Sequence, residues 1–492
     1  MIASSFNCTP GLPILHSRDL VNWMLINHAV SCLPHPRYEQ VQPGCGVWAP
    51  AIRFHAGKFW IFFPMPDEGI YVTTARHPSE KWSEPHLLQG GKGLIDPCPL
   101  WDDDGQAYLV HAYAGSRAGI KHRLRVCPMA PDASHLLGEG KIVFHEPERH
   151  PTIEGPKFFK RDGRYYILAP AGGVETGWQV ALRSKHIYGP YEDKVVLAQG
   201  NTAVNGPHQG ALVDSVDGNW WFLHFQDAGV YGRILHLQPV RWENGWPVMG
   251  KDGEPVQRHP KPHCVAPQNI CIPQTSDEFD AIQLGRQWQW NANHQNEWFS
   301  LIAQRSHLRL YAQPAVLPLN QLPNLLLQKF PAPSFAVETR LEFSSVHQGD
   351  EAGLVIAGQT STALSLRRAG NQNELLLRQD KAETVIHTGL GRHVCLRVAV
   401  GSNGTCQFSF ATGEKFISVQ GMFVATKGVW IGAKVGIFAM SPAKRGIHGH
   451  ADFDYFRLEQ NQAQPQLSCR EIPSEAACAD LTKRVSSFRA GQ

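Results

Sequence analysis

One pattern recurs four times in the first half of the chain: a glycine at a hairpin tip, followed by an aromatic-rich strand. The copies are Gly57-Lys58-Phe59-Trp60-Ile61-Phe62, Gly105-Gln106-Ala107-Tyr108-Leu109-Val110, Gly163-Arg164-Tyr165-Tyr166-Ile167-Leu168 and Gly218-Asn219-Trp220-Trp221-Phe222-Leu223. Three of the glycines follow an aspartate: Asp104, Asp162 and Asp217. Asp-Gly between apolar runs favours a tight hairpin, because both residues tolerate positive φ. The glycines stand 48, 58 and 55 residues apart. A unit of about 50 residues holding four short strands is a propeller blade. The 45 Gly, 35 Pro, 23 Phe, 14 Trp and 11 Tyr suit short strands joined by tight turns.

The strands leading into these hairpins are also alike. Trp48, Asp96 and Glu154 each stand nine residues before their glycine, and His208 stands ten before. The first strand of a propeller blade lines the central axis, so one shared offset projects one side chain per blade into a common axial pocket. Two of those side chains are carboxylates. Ser17–Trp23 repeats loosely as Ala75–Trp82, which makes Trp23 the outer end of a first blade. By the repeat spacing, that blade's hairpin glycine is expected just ahead of Met1 and its axial residue about a dozen residues earlier.

Residues 1–262 therefore read as a propeller, and prolines 260, 262, 267 and 273 mark a linker over 263–274. Residues 275–459 change texture. Eight or more short alternating strands, among them Phe335–Phe343, Ala352–Ala357 and Ala451–Leu458, indicate a β-sandwich. Residues 460–492 lack periodicity and are expected to form a loose tail. Acids and bases are interspersed, for a net charge of +3. That gives no electrostatic footprint for nucleic acid or an anionic membrane. No apolar run is long enough to span a bilayer, and the segment after Met1 does not read as a signal peptide. The compartment and the oligomeric state stay open. The 11 cysteines contain no Cys-x-x-Cys pair and are expected to be mostly buried free thiols.

Two carboxylates in one concavity permit general acid–base chemistry. For glycoside hydrolysis one must hold a proton for the leaving oxygen while the other stays ionised. Glu154, in Thr152-Ile-Glu-Gly-Pro, has the apolar setting that suits a proton-holding acid; Asp96 lies in Leu94-Ile-Asp-Pro-Cys-Pro. His208, beside Gln209, is either an ion or water ligand, a hydrogen-bond partner for a sugar, or a structural histidine. Trp48 is either core or a stacking platform for a sugar face. Arg233 can fork onto hydroxyls, and Phe6 and Trp178 are candidate rim aromatics.

Residues 5–23, Gly46-Val-Trp-Ala-Pro-Ala-Ile, Leu94-Ile-Asp-Pro-Cys-Pro-Leu-Trp-Asp-Asp-Asp-Gly, Thr152-Ile-Glu-Gly-Pro and Gly206-Pro-His-Gln-Gly resemble glycoside hydrolase family 43. Residues 275–459 resemble the concanavalin-A-like sandwich that follows in its β-xylosidases and arabinofuranosidases. The resemblance implies a five-bladed β-propeller whose first blade is incomplete here. It also implies an exo-acting, inverting hydrolase of terminal α-L-arabinofuranosyl or β-D-xylosyl residues on hemicellulose- or pectin-derived oligosaccharides. Glu154 resembles the general acid and Asp96 the aspartate that orients it. His208 matches an axial histidine that in some members lies near a calcium ion, so no cofactor is required beyond, at most, that ion. Trp48, Phe6, Trp178, Gln209 and Arg233 match positions around the sugar. The family's general base is an Asp in an Asp-Pro motif on the first blade, and no such motif precedes Phe6. Impaired catalysis, or a carbohydrate-binding protein without turnover, is the corresponding alternative.

Overall fold

The computed structural model of the chain describes residues 1–263, 270–443 and 449–460. Four antiparallel four-stranded sheets follow one another along the sequence. Their innermost strands are Ala51–His55, Leu94–Trp101, Lys157–Arg161 and His208–Asp214. Each turns back through the expected glycine, and Gly57, Gly105, Gly163 and Gly218 all have the positive φ (76°, 81°, 68° and 81°) that the turn demands. The repeat therefore builds a propeller-like arrangement of four full blades. The sheet ahead of them has only two strands, Gly11–His16 and Met24–Val30. Five four-stranded blades are not present among the described residues.

The blades cohere through apolar layers between neighbouring sheets. Trp60, Phe62, Ile70 and Val72 face Leu109 and Met129. Val110, Ala112 and Val126 face Phe158, Ile167 and Val180. Leu168, Ala181 and Val196 face Phe222, Val240 and Met249. Trp101 spans the first of these gaps, stacked 4.3 Å from the His55 ring and 5.3 Å from Trp60. Fully burying one such side chain contributes about 1.5–3 kcal/mol, so each blade leans on the next for much of its stability.

The second half forms two eight-stranded sheets. Alternation along Phe335–Ser344 and His393–Val400 puts Val337, Leu341, Leu396 and Val398 into one core with Leu354, Leu364, Leu366 and Phe453. This is the expected sandwich. Its first backbone pairing, between Asp277 and Phe456, lies just past the expected boundary. Residues 264–269 of the expected linker and 461–492 of the expected tail lie outside the described residues. Propeller and sandwich are joined closely. Thr9 and Trp290 exchange backbone hydrogen bonds (3.1 and 2.6 Å). Asn7 Nδ2 donates to the Asn291 carbonyl (2.6 Å), and Tyr231 Oη donates to the Gly401 carbonyl (2.6 Å).

No helix of the described residues is long and apolar enough to cross a membrane. The eight described cysteines are free. Only four of them (Cys8, Cys98, Cys127 and Cys406) are buried, fewer than expected. The tightest constraint on an innermost strand is at Gly210, where a Cβ would lie 1.8 Å from the buried Phe222 ring. Gly210→Ala is expected to destabilise the propeller by about 1–3 kcal/mol or more through overpacking, read as a lowered midpoint of thermal or denaturant unfolding; an unchanged midpoint would contradict this packing.

Candidate active site

Two innermost strands carry the same distortion at the same place. Pairing slips between Ile95 and Cys98 in one blade and between His208 and Ala211 in another. The residues inside the slips, Asp96 and Gln209, have left-handed backbones (φ 56° and 50°). A bulge re-aims a side chain at the end of a strand, and non-glycine residues hold such a backbone only where the surroundings impose it. The strict nine-residue offset before Gly218 falls on Gln209, so Gln209 rather than His208 is the counterpart of Asp96. His208, ten residues before Gly218, precedes its bulge as Ile95 does in the Asp96 blade.

The bulges bring the axial groups together. Asp96, 2 % exposed, accepts a hydrogen bond at Oδ2 from the Gly155 amide of the next blade (2.8 Å). The Gln209 side chain also hydrogen-bonds Asp96 and packs over Gly155, where an added Cβ would lie 2.9 Å from its amide group. Glu154 Oε1 lies 2.8 Å from His208 Nε2, and the Glu154 side chain is 30 % exposed. The expected apolar setting for Glu154 is therefore replaced by a partly solvated carboxyl against a buried imidazole. Burial first, and the Glu154 carboxylate second, push the Asp96 carboxyl above the ordinary Asp range; the Lys157 ammonium and the bonds from Gly155 and Gln209 oppose that rise. Arg233 opens strand Arg233–Glu243 and interacts electrostatically with Asp227, Glu154 and Asp96. Its Nε is buried without a protein partner, and its guanidinium lies 4.6 Å over Phe225. That leaves a donor for a ligand hydroxyl.

The aromatic expectations divide. Trp48 is held by its Nε1–H bond to the Gly44 carbonyl (3.0 Å), with the Arg117 guanidinium 5.4 Å over its ring. Phe6 stands beside it (6.5 Å) but is buried and bridged through its backbone to Val47, so it supports Trp48 rather than forming a rim. Trp178 donates to His150 Nδ1 (3.2 Å) and packs on the core between two blades. Trp48 packs on the same core, but no ring contact joins Trp178 to Trp48 among the described residues. The residue that does join it is Trp430, from the sandwich, which meets Trp48 edge-on at 6.0 Å and is 48 % exposed. Trp430 was not singled out from the sequence. Its one local signal is an aromatic between Gly428 and Gly432, and only the fold shows that the sandwich reaches Trp48.

Residues 1–247 match glycosyl hydrolases family 43, and residues 276–459 match the beta xylosidase C-terminal concanavalin A-like domain. The chain belongs to glycosyl hydrolases family 43. It is a glycosidase in sequence and architecture. A putative beta-xylosidase of Xylanibacter ruminicola is 38 % identical over 445 residues, covering 89 % of this chain and 82 % of that protein. A non-reducing end alpha-L-arabinofuranosidase of Bacteroides ovatus is 28 % identical, covering 85 % and 78 %. Among solved structures, a xylan beta-1,4-xylosidase from Bacillus halodurans superposes with a TM-score of 0.83 at 25 % identity, over 93 % of this chain and 95 % of that one.

The calcium that the resemblance allows near His208 finds no cluster of three His, Cys, Asp or Glu side chains to hold it among the described residues. Calcium takes six to eight oxygen ligands. The axis instead carries cations. Arg53 donates to Cys98 Sγ (2.9 Å), and the buried Lys157 lies in the combined field of Cys98, Asp96 and Arg53. His208 Nδ1 is buried without a partner, and a single nitrogen is a poor anchor for calcium.

A carboxyl that binds its proton more tightly when folded than when unfolded favours folding at low pH. That advantage is lost as pH rises from the ordinary Asp range through the raised value. Asp96→Asn keeps the acceptor for the Gly155 amide and removes the buried charge. Its melting temperature at pH 8 is expected to equal or exceed that of the parent, while hydrolysis is lost. A variant less stable than the parent at pH 8 would contradict the buried-charge assignment.

Proposed function

We propose that this family 43 glycosidase is exo-acting and inverting, and removes a terminal β-D-xylosyl or α-L-arabinofuranosyl residue from hemicellulose- or pectin-derived oligosaccharides. The supporting observation is the pairing of two carboxyl groups from neighbouring blades in one pocket, one solvated and one buried. Glu154 is the general acid, because it alone of the two is open to a glycosidic oxygen. Asp96, fixed by Gly155 and Gln209, stays in place to orient Glu154. Trp48 and Trp430 offer apolar faces to the sugar, and Arg233 binds its hydroxyls. The xylosidase and arabinofuranosidase names of the relatives support the same pair of substrates.

An inverting mechanism also needs a base across the sugar, with the two carboxyl groups about 6.5–9.5 Å apart. We read the two-stranded sheet of Gly11–His16 and Met24–Val30 as the outer part of a fifth blade. A carbohydrate-binding protein that does not turn over is the second reading.

Nitrophenyl β-xyloside and α-L-arabinofuranoside assays separate the two readings. Measurable hydrolysis, lowered about 10²–10⁴-fold by Glu154→Gln, is expected; tight sugar binding with no turnover of either glycoside would establish the second reading. In proton NMR the first sugar formed from the β-xyloside is expected to be the α-anomer, and a retained configuration would reject inversion.

A further inference from the structure

Behind the aromatic rim sits a pair of reactive groups that hydrolysis does not use. Cys8 lies two residues past Phe6, and Lys434 opens a sandwich strand four residues past Trp430. They are 1 % and 6 % exposed. Lys434 Nζ lies 2.6 Å from Cys8 Sγ, closer than Arg53 and the Phe158 amide approach Cys98 Sγ (2.9 and 3.2 Å). A buried ammonium ordinarily sits against a carboxylate; here its partner is a thiol. Lys329 stands nearby. Crowding by protein, then the Lys434 ammonium, lowers its pKa to about 8, although part of its side chain reaches solvent. A cavity of about 180 Å³, lined by Asn7, Asn291, Lys434 and the exposed Pro43 and Gln359, borders the Lys434 residue. That is room for several water-sized molecules.

We propose that Cys8 and Lys434 are an oxidation site at which hydrogen peroxide creates a covalent sulfur–nitrogen link, a sulfenamide, between propeller and sandwich. In the first step the Cys8 thiolate attacks one peroxide oxygen. The S–O bond forms, the O–O bond breaks and the departing hydroxide is protonated to water; sulfur loses two electrons and the peroxide gains them. In the second step the Lys434 amine, having released a proton, attacks that sulfur. The S–N bond forms, the S–O bond breaks and a second water leaves. One hydrogen is lost from sulfur and one from nitrogen. Sulfenic acids condense with nitrogen in this way, and excess thiol reverses the link by attack at sulfur. The short separation places the amine to intercept the sulfenic acid before a second peroxide arrives.

The test treats the full chain with hydrogen peroxide, blocks free thiols and maps tryptic peptides by mass. The expected product joins residues 1–18 to residues 428–444, uncleaved at Lys434, about 2 Da lighter than the sum of the two peptides. Dithiothreitol is expected to part them. In Lys434→Arg the joined species is expected to vanish and Cys8 to proceed to sulfinic acid. Cys8 found as sulfinic or sulfonic acid in the parent with Lys434 unlinked, Cys8 unreacted, or a link to Lys329 would each overturn the proposal. The mapping of the parent chain needs no variant, so a misfolded substitution leaves the test intact.

Discussion

The hydrogen bond from the Gly155 amide to Asp96 Oδ2 crosses from one blade to the next at the axis, and the geometry of the pocket depends on it. It fixes a buried carboxylate whose backbone is strained, and it anchors Gly155, the residue that follows Glu154 and lies two ahead of strand Lys157–Arg161. A bond to a charged acceptor is worth about 1.5–3 kcal/mol. That is comparable with the cost of one left-handed residue, so the local balance is close and the remainder must come from packing. The apolar layers between blades supply it. They make the angle between adjacent sheets rigid enough that two residues 58 positions apart in sequence keep a fixed relation.

The sandwich has a related role. Its backbone bonds to the Thr9 and Tyr231 segments hold the propeller at the side where Trp430 faces Trp48. Both halves of the chain therefore contribute to the surroundings of Trp48. A propeller alone would leave that ring with one aromatic neighbour, the buried Phe6.

Much of this was legible in the sequence because hairpin chemistry is local. Gly57, Gly105, Gly163 and Gly218 announce four turns, and counting back from them finds Asp96 and Glu154 without knowledge of the fold. The sandwich strands followed from alternation for the same reason: one buried face per sheet imposes a period of two. What escaped was non-local. The bulges at Asp96 and Gln209 re-aim side chains, and nothing in the local sequence marks them. Phe6 and Trp178 were aromatics of unknown direction, and their direction is set by Val47 and His150, distant partners. Trp430 belongs to another sheet system altogether, and no local signal sets Lys157 beside Asp96 and Cys98.

The central claim is that Asp96 and Glu154 act as one unit across a shared pocket, and a double-mutant cycle tests it most directly. The quantity to measure is kcat/KM on an aryl xyloside or arabinofuranoside for the parent, Asp96→Asn, Glu154→Gln and the double variant. Groups that work together lose little more when both are removed than when the more important one is. The double variant is predicted to fall within a few-fold of the weaker single variant. Losses that multiply, each substitution costing the same whether or not the other is present, would show two independent carboxyls and contradict the account.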